Sequence, residues 1–444
     1  MRRALVGTAA ALALCAAGCT SGGAQTPPTA TAASSSASSQ PASPVTLRFS
    51  VFGDPQTVAA YRQLASDYTD LHPAVMVKVL SSPDAAAAAR RLDRPGTPDV
   101  FLVDHAQMPD LVAEKRVQPV DELLERRGVL FGDNFQRLGL EAFSANSALQ
   151  CMPHDVSPVV VFYNTRLVHP RTLAAPGEDP VTTENGWTWE QFATAARRTS
   201  HGTVKGVYLP PDLESLLPLV RSAGADLVDD DRTPQSLTTS DKSARAALQQ
   251  VLALARDPQL SPTRRQLAKQ DALARFEHGR LAMMLGTRRL VPTLRETPGL
   301  SFDVFPLPVL GTPRTVAQMT GYCISATTPH LQHAADFLTY ATGPEGEKTT
   351  AEVGGIVPAN LPALHSDAFT QPGSQPSHVG VFSEALRRAD APPFSAAWPT
   401  LESQVQPMLD KMFYEPKVDL DRLLPRLDRR SRATLGPPGG SPPA

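Results

Sequence analysis

The ordered part of this chain opens on a β-α-β alternation, and that order of elements confines it to a parallel sheet with helices laid over its faces. In Val45-Thr-Leu-Arg-Phe-Ser-Val-Phe, residues Val45, Leu47, Phe49 and Val51 alternate with mostly polar neighbours, the period of a half-buried strand. Gly53 ends it. Asp54 then stands where a helix N-cap belongs and Pro55 at the first helical position. Val58, Tyr61, Leu64, Ala65 and Tyr68 recur at three- and four-residue steps until His72-Pro73 stops them. A second strand is expected at Val75-Met-Val-Lys-Val-Leu, a third at Asp99-Val-Phe-Leu-Val, and a helical stretch from Met108 to Glu114.

The alternation continues after Pro158 with an apolar strand at Val159-Val-Val-Phe-Tyr. Thr188-Trp-Glu-Gln then carries the capping pattern that opens a helix. Further helices are expected at Leu213 to Ala223, Ser240 to Arg256, from Thr328, at Ala396 to Phe413 and at Val418 to Leu427. Short strands are expected at Phe302 to Pro308 and Gly321 to Ser325. Two sets of strands, each with its helices, imply two α/β lobes, and no period of 20 to 50 residues suggests a solenoid. Forty-two basic against 44 acidic residues leave no polycation for duplex nucleic acid, while 43 prolines imply many breaks between elements.

The first eighteen residues lie outside that fold. Arg2 and Arg3 precede an apolar run to Gly18, which is too short to cross a bilayer and ends in Leu14-Cys15-Ala16-Ala17-Gly18-Cys19. Small residues ahead of a cysteine match a lipoprotein lipobox: cleavage before Cys19 and acylation of its thiol would anchor the chain to the outer face of the cytoplasmic membrane. An ordinary secretory signal with an incidental cysteine is the plainer reading. Without Arg2 and Arg3 the balance becomes 40 basic against 44 acidic. Residues 19–44 are a flexible tether without a charge or aromatic ring, and 433–444 a disordered tail. Cys151 and Cys323 are then the remaining thiols, open either to a disulfide in an oxidising compartment or to burial as free thiols.

Six segments in order resemble the extracellular solute-binding proteins of ATP-driven importers, family 1, the maltose-binding-protein-like group, in its actinobacterial lipoprotein form. They are Leu71-His-Pro-Ala-Val-Met-Val, Pro98-Asp-Val-Phe, Met152-Pro-His-Asp-Val-Ser-Pro-Val-Val-Val-Phe-Tyr-Asn, Trp187-Thr-Trp-Glu-Gln-Phe, Phe276-Glu-His-Gly-Arg-Leu-Ala-Met-Met and His333-Ala-Ala-Asp-Phe-Leu-Thr-Tyr. The resemblance implies a type II periplasmic-binding-protein fold: two α/β lobes joined by three crossings and closing on a ligand. One lobe takes 45–154 and 326–375, the other 155–325 and 376–432. The crossings are expected near Met152–Ser157, Gln318–Ser325 and Gly373–Gly380. Cys151 and Cys323 would then lie at neighbouring crossings, which leaves a bridge and two free thiols equally open. The implied partners are a small carbohydrate or derivative and the membrane subunits of an ABC permease, with the chain a monomer, no catalytic residue, no metal and no cofactor.

A solute carrier needs a concave site with a few placed polar groups and flat apolar faces. Carboxylates suit paired sugar hydroxyls, and aromatic rings cover pyranose C–H faces. Asp54 matches the family's acidic ligand residue, its plainer role being a helix cap. Asp104 and His105 follow the third strand, where ligand groups gather in open α/β sheets; a solvated turn is the alternative. Asp155 and Ser157 lie in the first crossing and equally suit a turn before Pro158. Glu214, beside Asp212, matches a sugar-binding segment but lacks its aromatic partner. Tyr322 and Trp398 are the expected stacking rings, Trp398 at the family's last-lobe tryptophan, whereas Trp187 and Trp189 read as packing. At Gly286-Thr-Arg-Arg the family's Gly-x-Trp is replaced, so Arg288 and Arg289 would present guanidinium groups to hydroxyls, carboxylate or phosphate, or else begin a solvated helix.

This set implies a small polar ligand: a short oligosaccharide, an amino sugar or a glycerophosphodiester. The alternatives are a surface-anchored glycoside hydrolase with paired carboxylates and a purely structural envelope lipoprotein. No GxSxG, HExxH, GxxxxGK[ST] or CxxC pattern occurs in support of other chemistry.

Overall fold

The computed structural model describes residues 44–436, apart from 94, 95, 175, 176 and 178. The leader, Cys19 and the tether up to residue 43 therefore fall outside the described residues, as does the tail beyond 436. Among the described residues no helix is long and apolar enough to cross a membrane.

The strands that position the site are β1 (Val45–Phe52), β2 (Val75–Ser82), β3 (Val100–Asp104), β4 (Val117–Gln118), β5 (Met152–Pro158), β6 (Val160–Asn164), β7 (Lys205–Tyr208), β8 (Leu281–Gly286), β9 (Phe302–Phe305), β10 (Thr315–Ser325) and β11 (Ala389–Asp390). The helices used below are α1 (Pro55–Leu71), α2 (Ala85–Leu92), α3 (Trp189–Thr199), α4 (Leu213–Ser222), α5 (Lys242–Ala255), α6 (Leu331–Ala341), α7 (Gly380–Leu386), α8 (Trp398–Tyr414) and α9 (Leu420–Leu435).

One sheet runs β11-β10-β3-β1-β2, with β4 and β5 also paired to β10. Its β1, β2 and β3 are parallel, as the β-α-β order requires, and β10 enters antiparallel to β3. A second sheet runs β9-β6-β8-β7. The chain is thus a mixed α/β protein whose described residues form these two larger sheets and a two-stranded one at Ser144–Ala145 and Ala148–Leu149.

Two hydrophobic cores accompany the two sheets. Leu47, Phe49, Leu64, Tyr68, Phe101 and Phe337 belong to the first, and Val161, Tyr163, Phe192, Val207, Leu248 and Leu401 to the second. Strand β6 divides its side chains between them: Val160 and Phe162 pack into the first, Val161 and Tyr163 into the second, as alternation across a pleat demands. Each large side chain buried this way contributes roughly 1.5–3 kcal/mol.

Local signals fold as their chemistry dictates. The Asp54 carboxylate accepts from the backbone N–H groups of Gln56 and Thr57, with Pro55 at the first position of α1. Thr188 and Gln191 form a reciprocal capping box at α3. Two segments differ from their sequence reading. Met152–Pro158, read as a hinge turn, is a fully buried strand, and the strand expected from Gly321 begins six residues earlier, at Thr315. Each supplies the other's pairing partners: Ala317 opposes Pro158, Thr320 opposes Asp155 and Tyr322 opposes Met152, with a register shift between Thr320 and Gly321. A Cβ on Gly321 would stand 2.8 Å from the Phe143 ring and 2.9 Å from the Met152 carbonyl, so the close approach requires glycine.

Residues 373–380 run beside β9: the Gln375 side chain accepts from Phe302 N–H and His378 N–H donates to Asp303. Helix α9 continues to Leu435, three residues beyond the expected end of the ordered chain. Asp428 on α9 accepts from the backbone N–H groups of Thr239 and Ser240, which fastens the helix to the body of the protein.

Cys151 and Cys323 are joined by a disulfide, their Cα atoms 4.4 Å apart and 172 residues apart in sequence. It ties the segment leading into β5 to β10, the pair from which the site is built. Closing so long a loop restricts the unfolded chain. Reduction under denaturing conditions should raise the intact mass by about two daltons, and Cys151→Ser with Cys323→Ser should lower stability by about 2–5 kcal/mol in urea titrations; an unchanged mass and midpoint would show the bridge to be absent.

Candidate functional site

The register of β10 sets the centre of the site. Thr320 opposes Asp104 at the end of β3 on one side and Asp155 in β5 on the other. Arg289, three residues past the end of β8 in the other sheet, reaches both carboxylates: its Nε donates to Asp155 at 3.1 Å and its Nη1 lies 3.6 Å from Asp104. One guanidinium therefore spans from the second sheet to the first.

Asp155 is 1% exposed, and a carboxylate so removed from water needs several partners. It has them: Ser157 Oγ donates at 2.5 Å, Val357 N–H at 2.9 Å, and Arg289 completes the set. Burial opposes the charge on Arg289, but Asp155 and Asp104 more than offset this and hold its pKa above the ordinary arginine value.

Behind Asp155 sits a buried polar cluster. His154 Nδ1 lies 2.9 Å from Glu347 and its Nε2 3.2 Å from the Tyr61 hydroxyl, while its ring stacks on Tyr322 at 4.5 Å. Desolvation lowers His154 to about 4, leaving it neutral at pH 7, and pushes Glu347 well above the carboxylate range.

Two cavities meet at the Asp104–Arg289 pair. One, of about 330 Å³, is lined by Asp54, Thr57, Tyr61, Asp84, Asp155 and Thr320 as well as by the pair. The other, of about 310 Å³, is lined by His105, Glu214, Gln318, Trp398 and Glu402 together with the same pair. Asp54 and Asp104 each cap a helical turn and also face a cavity, so capping and lining are combined in one residue. His105 is buried against Phe143 and Phe394, and desolvation lowers its pKa to about 4, leaving it neutral.

In the second cavity, Trp398 Nε1 donates to Glu402 at 3.0 Å and Gln318 Nε2 donates to Glu214. Glu214 follows Asp212, the N-cap of α4. Its side chain is exposed to the cavity, yet the protein atoms around it displace much of its surrounding water. That desolvation, with Asp212, Asp104 and Glu402 nearby, raises its pKa from 4.5 to about 7. Glu402 is raised by desolvation as well. Sequence reasoning missed Glu402, Gln318 and Asp84; Glu402 stands one helical turn after Trp398, and that spacing was the available signal.

Three of the nominated residues lie off the cavity walls. Arg288 is wholly buried: its Nε donates to the Gly354 carbonyl at 2.8 Å, its Nη2 to Phe369 at 2.9 Å, and its guanidinium stands over the Phe369 ring at 4.6 Å. Desolvation lowers its pKa to about 9. Tyr322 is buried in the first core between Phe49 and His154, because its side chain projects from the covered face of β10. Ser157 is buried and serves Asp155. Trp187 packs inside, its indole N–H donating to Pro306. A separate cavity of about 460 Å³, lined in part by Arg314, His378, Val381 and Arg388, contains none of the nominated residues.

Residues 63–375 match the family model described as bacterial extracellular solute-binding protein. The chain belongs to that family. No curated protein matches it. Among solved structures, the ABC substrate-binding protein of Listeria monocytogenes in complex with cycloalternan superposes with a TM-score of 0.77 at 16% identity, covering 88% of this chain and 99% of that one. The sugar-binding protein MalE of Xanthomonas citri gives 0.72 at 18%, covering 88% and 97%. UgpB of Mycobacterium tuberculosis in complex with glycerophosphocholine gives 0.73 at 16%, covering 88% and 98%. At these identities the likeness is one of fold: the two-lobed fold of the maltose-binding-protein type, and that of an exported family.

The folded chain retains a proton on Glu214 that the unfolded chain loses between pH 4.5 and about 7. That contribution to stability is present below this window and is lost as pH rises through the folded pKa. The melting temperature of the wild type should therefore fall relative to Glu214→Gln between about pH 5 and about pH 8; parallel curves would show that Glu214 titrates normally.

Proposed function

We propose that this solute-binding protein is the substrate-capturing lipoprotein of an ABC importer. It binds a carbohydrate or sugar derivative, such as a short oligosaccharide, an amino sugar or a glycerophosphodiester, and delivers it unchanged to the membrane permease. The leader 1–18 directs export, acylated Cys19 anchors the chain to the outer face of the membrane, and 19–44 tethers a monomeric body. The clamp is formed by lobe 45–154 with 326–375 and lobe 155–325 with 376–432.

The observation that carries this reading is the pair of cavities meeting at Asp104, at the end of β3 in the first sheet, and Arg289, in the turn that follows β8 of the second. A ligand there touches groups borne on both sheets. A solute shifts an open–closed equilibrium only by its differential affinity for the closed state, so contact with both walls is what closure demands. Asp54, Asp104, His105, Asp155, Glu214, Arg289 and Trp398 form the proposed walls, with Glu402 and Gln318 added. Carboxylates accept from hydroxyls, Arg289 donates, and Trp398 offers an apolar face.

The solved neighbours support a sugar or polar metabolite: the Listeria protein is bound to cycloalternan, the Mycobacterium protein to glycerophosphocholine. A surface-anchored hydrolase is the second reading, and it draws on the raised pKa of Glu214, a property of general acids.

Titration calorimetry against mono- and disaccharides, amino sugars and glycerophosphodiesters tests the proposal, with the ligand recovered intact. Released product would favour the hydrolase, and silence across the panel would refute capture of this class. Trp398→Ala should weaken the bound member more than about tenfold while the circular dichroism spectrum stays unchanged; unaltered affinity would remove Trp398 from the wall.

A further inference from the structure

We propose that the cavity between Glu214, Glu402 and Trp398 takes a protonated amine, so that the protein selects an amine-bearing saccharide over neutral and phosphate-bearing ones. This rests on the solute-capture reading and names the ligand class within it.

The argument is one of charge. Among the described residues, the walls of the two cavities present six carboxylates, those of Asp54, Asp84, Asp104, Asp155, Glu214 and Glu402, against the single guanidinium of Arg289, and no lysine. Asp54 and Asp84 are engaged as helix caps, and Asp155 is satisfied by Ser157, Val357 and Arg289. Arg289 is itself committed to Asp155 and Asp104. Its Nη2 has no hydrogen-bond partner among the described residues, but its charge is already shared between two carboxylates, which weakens its attraction for a phosphate.

Glu214 and Glu402 differ from the rest. Each receives one neutral donor, Gln318 and Trp398 respectively, and neither forms an ion pair among the described residues, although Arg289 on the same cavity wall partly offsets the charge of Glu214. Their two carboxyl groups line one small cavity without an ion-pair partner, and desolvation, with neighbouring carboxylates, raises the pKa of each. A cation entering there supplies the missing charge, and the Trp398 ring adds an aromatic face for an ammonium. His105 gives an independent sign of an absent donor. It is 2% exposed, lines the same cavity, and its Nδ1 has no hydrogen-bond partner. With its other nitrogen directed at the Ala142 carbonyl and the ring neutral, Nδ1 carries a bare lone pair that accepts an N–H or O–H. Two carboxyl groups without an ion-pair partner and an unused acceptor thus belong to residues lining one chamber, a set that suits an ammonium with its three N–H donors.

The test compares ligands of one shape and different charge. The full-length chain, kept in detergent, is titrated at pH 7 with the β-1,4-linked disaccharide of glucosamine, its di-N-acetylated counterpart, cellobiose and glycerol 3-phosphate. The free amine should bind at least about tenfold more tightly than cellobiose and the acetylated sugar, with glycerol 3-phosphate weakest. Glu214→Gln and Glu402→Gln, each checked for a native melting transition, should each reduce the ratio of amine to cellobiose affinity about tenfold. If cellobiose or glycerol 3-phosphate binds as tightly as the amine, or the ratio survives both substitutions, amine selection is overturned while solute capture stands. If none of the four binds and a wider saccharide panel is also silent, both readings fall.

Discussion

The buried carboxylate of Asp155 is the constraint around which the rest of the structure is arranged. At 1% exposure its charge cannot be left to water, and removing a partner from a buried ion pair costs about 3–5 kcal/mol. The three groups that satisfy it come from three parts of the chain: Ser157 from the same strand, Val357 from the segment after residue 351, and Arg289 from beyond β8. Satisfying one charge therefore brings distant segments together at the junction of the two sheets. The cluster of His154, Glu347 and Tyr61 behind it adds hydrogen bonds, and burial disfavours charge on both His154 and Glu347.

That arrangement explains which residues a sequence can reveal. Asp54 and Pro55, the Thr188 capping box and the apolar period of α1 are local, since each residue's partner lies within four positions, and all fold as read. β5 and β10 are the opposite case. Met152–Pro158 contains two prolines and no alternation, and Thr315–Thr320 is mixed in polarity. They become strands because each supplies the other's ladder across some 160 residues, and because both sides of each are covered. Non-local pairing of this kind leaves no period to detect.

The neighbouring arginines show the same limit at single-residue scale. Nothing in Gly286-Thr-Arg-Arg distinguishes Arg288 from Arg289. In the short helical turn after β8 their side chains diverge: one enters the stack of Phe369 and Phe382 and bonds to backbone carbonyls, the other meets Asp155 and Asp104. Tyr322 is decided by the pleat of β10, which turns its ring onto His154 and the first core, while Thr320, two residues earlier but across the register shift, lines the cavity between Asp104 and Asp155.

Placing the one arginine of the walls between two aspartates has a consequence for binding. A guanidinium already paired with two carboxylates adds little net attraction for an anionic ligand, since its charge is shared with Asp104 and Asp155 even where its Nη2 has no partner among the described residues. The same pairing fixes the partition between the two cavities, because Arg289 is oriented before a ligand arrives and little side-chain entropy remains to be lost there. Glu214 and Glu402 are held by neutral donors from β10 and α8, which orient them without satisfying their charge. Orientation is thus supplied throughout by the protein, whereas charge compensation is complete at Asp155 and incomplete at the far end of the cleft. On the proposed reading, the electrostatic gradient between those two points, rather than any single residue, would distinguish ligands of equal size and different charge.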